Sequence, residues 1–83
     1  MRVELNDWKN GWSGVEIALS EPEIDVLIER LTMLKNDPDQ HFHISSDYKV
    51  PEGLGDIEIY IREPSQAENM FIGGKALPPG TEI

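Results

Sequence analysis

The sequence predicts an α+β domain: an antiparallel sheet of four to five strands, ordered β-β-α-β-β-β, with one helix packed on one face. Three observations carry this. Short runs that alternate polar and apolar residues recur along the 83-residue chain, the period of strands half-buried on one side. One segment alone, 21–35, repeats leucine and isoleucine at helical spacing. Each strand keeps a polar side, so a single helix over one sheet face buries the apolar stripes and leaves the other face in water. At this length there is room for one core, hence one domain over 1–83, with an irregular tail from about residue 73 that holds Pro78-Pro79-Gly80.

Arg2-Val3-Glu4-Leu5-Asn6 and Val15-Glu16-Ile17-Ala18-Leu19 both alternate, and the turn-rich link between them carries Asn10-Gly11. Together they read as a hairpin with a wide loop, with Val3, Leu5, Val15, Ile17 and Leu19 turned to the core. Trp8 and Trp12 sit in that loop. One of them is expected to close the end of the core and the other to anchor a partner. Ser20-Glu21-Pro22-Glu23 is a helix start, with Ser20 as cap, Glu23 completing a capping box and proline tolerated in the first turn. Ile24, Leu27, Ile28, Leu31 and Leu34 form a stripe centred between Leu31 and Ile24. Lys35 suits the negative end of the helix dipole, and Asn36-Asp37-Pro38-Asp39 stops the helix. His41-Phe42-His43-Ile44-Ser45 is the third strand. A loop with Pro51, Gly53 and Gly55 leads to the fourth, 56–62, which turns Ile57, Ile59 and Ile61 to one face. Glu63-Pro64-Ser65-Gln66 turns the chain, and 67–72 is expected as a fifth strand.

Sixteen acidic residues against seven basic ones give a net charge of −9. Such a field repels nucleic acid and anionic membranes, and it speeds encounter with a basic partner. Without cysteine there is no disulfide and no thiolate zinc site. The first residues lack the apolar stretch of a signal peptide, and no apolar run nears the roughly 20 residues of a membrane span. The expectation is a cytoplasmic protein.

His41 and His43 stand two apart on one strand and share a face, and Glu58 and Tyr60 join them if the third and fourth strands pair. A zinc site of two histidines and one carboxylate can be drawn there. The chain has only these two histidines, and spacing fixes no further ligand. The plainer reading has both rings on a polar sheet face meeting a partner, so no metal or cofactor is assigned. Catalysis finds less support. Ser45 and Ser46 lack an oriented base, no Gly-x-Ser-x-Gly occurs, and Gly73-Gly74-Lys75 lacks the rest of a phosphate loop. The chain reads as a binding protein, not an enzyme.

Three surfaces compete as the binding face. Glu21, Asp25 and Glu29 recur every four residues on the helix, a like-charge row that costs a few tenths of a kcal/mol per pair. Val26 and Met33 lie seven apart on the side away from the stripe, an outward seam for a homodimer. The open sheet face presents His41, His43, Glu58 and Tyr60 beside the loop of Trp8 and Trp12, and aromatic residues are enriched at binding hot spots.

Residues 1–47, with their strand pair, the Ser20-Glu21-Pro22-Glu23 helix start, the leucine-rich helix and above all His41-Phe42-His43-Ile44-Ser45-Ser46, resemble the immunity proteins of bacterial polymorphic-toxin and contact-dependent inhibition systems, nearest to family thirty-two of that collection. The resemblance implies a cytoplasmic inhibitor that binds and neutralises a cognate toxin domain, often a nuclease. His41 and His43 are the positions it marks as interface or fold-defining. A nuclease groove is basic, so an acidic inhibitor complements it. The alternatives are an acidic nucleic-acid mimic that inhibits a nuclease, and a small His/Glu metal-binding protein.

Overall fold

The computed structural model describes residues 1–73 of the chain. The tail expected from about residue 73 falls, from 74 onward, outside the described residues. The elements are β1 (Arg2–Asp7), β2 (Ser13–Ala18), α1 (Glu21–Asn36), β3 (His41–Ser45) and β4 (Asp56–Tyr60), an α+β arrangement with one helix. No helix among the described residues is long and apolar enough to cross a membrane.

Two separate antiparallel hairpins, β1–β2 and β3–β4, replace the single four- to five-stranded sheet expected from the sequence. Each hairpin joins two strands adjacent in sequence and satisfies its ladder locally. Joining them into one sheet would require a further ladder across the helical crossover. Instead a cleft of about 400 Å³ separates them, lined by Met1 and Val3 on one side and by Ile44, Leu54 and Ile57 on the other. The fifth strand is also absent: 67–72 forms none. Arg62 ties the chain into a turn there, donating to the Gln66 carbonyl at 2.7 Å and to Glu68 Oε1 at 3.1 Å.

The β1–β2 loop is built by local side chains. Asp7 accepts from the Lys9 N–H at 2.8 Å and Asn10 from the Trp12 N–H at 3.0 Å, the bonds that make asparagine and aspartate turn formers. Gly11 takes φ 95°, the left-handed region open to glycine. A Cβ at Gly14 would lie 2.8 Å from Trp8 Cζ2, so the indole occupies the space that glycine leaves. Gly14 pairs with Asn6, on the side of the hairpin that also carries Glu4 and Glu16. Contrary to expectation, neither tryptophan closes a core: Trp8 rests on the polar side of the hairpin and both rings stay exposed.

At the start of α1 the capping box forms as read. Ser20 Oγ accepts from the Glu23 N–H, and Glu23 Oε1 accepts from the Ser20 N–H at 3.0 Å. A cap of this kind contributes about 1 kcal/mol. Glu23 Oε2 also meets the Met1 ammonium at 2.6 Å. That ammonium, then the Ser20 backbone and side-chain hydrogen bonds, hold the Glu23 carboxyl down at about 2. A carboxyl lowered on folding adds stability above its unfolded value of about 4.3, and the gain fades as pH falls towards 2. Glu23→Gln keeps the box but removes the charge. It is expected to be less stable than the wild type at neutral pH, with the gap closing below about pH 4 in an acid-unfolding series. A gap that persists unchanged to pH 2 would assign the loss to packing instead.

The helix packs chiefly on β3, and it does so along Glu23, Leu27 and Leu34. Leu34, 6% exposed, is the buried hydrophobic residue among those described. Leu27, Phe42, Ile44, Ile57 and Ile59 are half-buried around it. The stripe expected to face the core is turned partly outward: Ile24, Ile28 and Leu31 remain 43%, 57% and 45% exposed. Leu5, Val15 and Ile17 on the first hairpin are exposed as well. The cause is the missing sheet continuity. With only the second hairpin beneath it, the helix meets its support through one edge of the stripe, and the rest has no layer to cover it.

Candidate functional site

Alternation along β3 and β4 sorts the second hairpin into two faces. Phe42, Ile44, Ile57 and Ile59 turn inward, while the cross-strand pairs His41 with Tyr60, His43 with Glu58 and Ser45 with Asp56 stand on the outer face. The two imidazoles meet edge to face, centroids 5.0 Å apart and planes at 83°. His41 Nε2 lies 4.0 Å from Glu58 Oε1, and His43 Nδ1 lies 2.8 Å from Asp56 Oδ2. Ser45 donates to the other Asp56 oxygen at 2.8 Å.

Charge follows from these contacts. The hydrogen bond that His43 donates to Asp56, with the field of Asp56 and Glu58, raises the His43 pKa above its ordinary value against the opposing effect of desolvation. The hydrogen bonds from His43 and Ser45 lower that of Asp56. Asp56 therefore accepts as a carboxylate, which places a proton on His43 Nδ1 and leaves Nε2 as the ring nitrogen that Asp56 does not engage. The Ser45 hydroxyl donates to Asp56 and not to an imidazole, so the two histidines and this serine do not form a serine–imidazole pair.

The structure brings His41, His43, Glu58 and Tyr60 together on one face, as read from the spacing. Tyr60 is already engaged, its hydroxyl accepting from Gln66 Nε2 at 2.6 Å. Trp8 and Trp12 belong to the other hairpin, and Glu21, Asp25 and Glu29 to the exposed side of α1, where Glu29 sits 3.9 Å from its neighbour Arg30. Val26 and Met33 do not form a seam remote from the packed side. Both line grooves beside β3, with Arg30 and Phe42 as common neighbours. Asp56 was the residue that sequence reasoning passed over. Its signal was the register, since a carboxylate opposite Ser45 falls diagonal to His43.

No family model, curated protein or solved structure matches the chain.

Proposed function

We propose that this chain is an immunity-type binding protein that captures and neutralises a basic toxin domain, and that its role is association, not catalysis. The observation that carries this is the uncovered apolar face of α1 beside its row of acids. Ile24, Ile28 and Leu31 are exposed, and on a helical wheel they adjoin Glu21, Asp25 and Glu29. An apolar centre with a charged rim is the anatomy of a protein-binding patch. The net charge of −9 gives the patch its sign preference, favouring a partner rich in lysine and arginine. A nuclease toxin, whose substrate groove is basic, would supply such a surface. Trp8 and Trp12 on the first hairpin, and His41, His43, Glu58 and Tyr60 on the second, are exposed and offer further candidate contacts.

The test is stopped-flow association of the purified chain with the product of the adjacent gene, which this reading expects to carry a basic toxin domain. The association rate is expected to fall about tenfold or more as salt rises from about 50 to 500 mM, because screening removes the steering field. An association rate indifferent to salt, or no complex at all, sinks the reading.

A further inference from the structure

We propose that His41, His43 and Glu58 form a binding site for a borderline divalent cation of the zinc class, with Asp56 and Ser45 as its supporting layer. Each of the three residues offers one ligand atom, and these atoms all lie within 4.8 Å of one another. Zinc with bonds of about 2.0–2.1 Å holds tetrahedral ligands about 3.4 Å apart. Modest rotation of the exposed His41 and Glu58 side chains closes that difference about a His43 ring held by Asp56. The strand backbone does the rest. His41 and His43 share one face of β3, and the register sets Glu58 directly opposite His43.

The layer behind the ligands supports the same assignment. Asp56 holds the Nδ1 side of His43 at 2.8 Å and is itself held by Ser45 at 2.8 Å. In the neutral ring this fixes the tautomer, with the lone pair on Nε2. A carboxylate behind a histidine is the usual outer arrangement of zinc ligands, where it orients the ring and raises its basicity. Beside His41 and Glu58 opens a depression of about 430 Å³, also lined by Asp39 and Glu63. It leaves the fourth coordination position open to water, and its carboxylates add attraction for a cation. Two imidazole donors select against magnesium and calcium, which prefer oxygen ligands throughout.

The site is independent of what covers the helix, and its test uses the metal alone. The full chain is titrated with Zn²⁺ by calorimetry at neutral pH, with Mg²⁺ in parallel, and with Co²⁺ by visible absorption. One Zn²⁺ per chain and no uptake of Mg²⁺ are expected, with Co²⁺ giving the intense visible bands of a four-coordinate site. His41→Ala, His43→Ala and Glu58→Gln should each weaken Zn²⁺ binding tenfold or more. Asp56→Asn, which touches no metal, should weaken it by about 10- to 100-fold. Far-UV circular dichroism of each metal-free variant checks the fold. Where an alanine variant fails that check, the conservative Glu58→Gln carries the decision. A wild-type chain that takes up no zinc overturns the site, as does unchanged affinity in His43→Ala or Glu58→Gln.

Discussion

Leu34→Ala is expected to lower the free energy of unfolding by about 2–4 kcal/mol, the range for a buried leucine whose cavity only partly collapses. Stability for a chain of this length totals roughly 4–12 kcal/mol at typical per-residue values, so one side chain holds a large share. Leu34 has this weight because it alone among the described residues is a buried hydrophobe, at 6% exposure. It lies where α1 meets the second hairpin, in the groove bordered by Met33 and Phe42. Urea unfolding measures the effect as a lower midpoint at unchanged slope. Ile28→Ala is the control. Its side chain is 57% exposed, so truncation should change stability by no more than about 0.5 kcal/mol. If Ile28→Ala proves the costlier of the two, the helix presents its stripe to a sheet after all, and the packing described here is wrong.

Reversing Glu21, Asp25 and Glu29 to lysine is expected to slow association with the basic toxin domain by about tenfold to a thousandfold at low salt. That is the span electrostatic steering covers. Stability should change little by comparison. The native row already sets like charges at four-residue spacing, a mild cost, and three lysines reproduce it with opposite sign. Only Glu21, in the first turn, also loses a favourable interaction with the helix dipole. The separation of the two readouts is the point of the experiment: unfolding midpoints within about 1 kcal/mol of the wild type, alongside a collapsed association rate that high salt no longer distinguishes. An unchanged association rate would move the binding face away from α1, towards Trp8 and Trp12 or the histidine face.

Local elements were legible because local chemistry decides them. The capping box at Ser20 and Glu23 needs only four consecutive residues. That His41, His43, Glu58 and Tyr60 share one face follows from period-two alternation once the two strands are known to pair. The residues of that outer face therefore came off the sequence correctly grouped. The role of Asp56 did not, since it depends on a diagonal contact between strands that spacing along one strand does not encode.

What the sequence by itself determined is the inventory of pieces: one capped helix, four alternating strands, a strongly acidic surface, and a polar face with two histidines. Each rests on interactions within a few residues, or on composition. Only the tertiary structure decided how the pieces meet. It left the two hairpins as separate sheets, turned the helix so that Leu34 rather than the Ile24 and Leu31 line is buried, and set Trp8 on Gly14. The physical reason is that an apolar stripe specifies burial but not its partner. Burial is non-directional, so which edge of the helix is covered depends on what lies beneath it. The uncovered remainder, beside Glu21, Asp25 and Glu29, is the surface that a basic partner would complete.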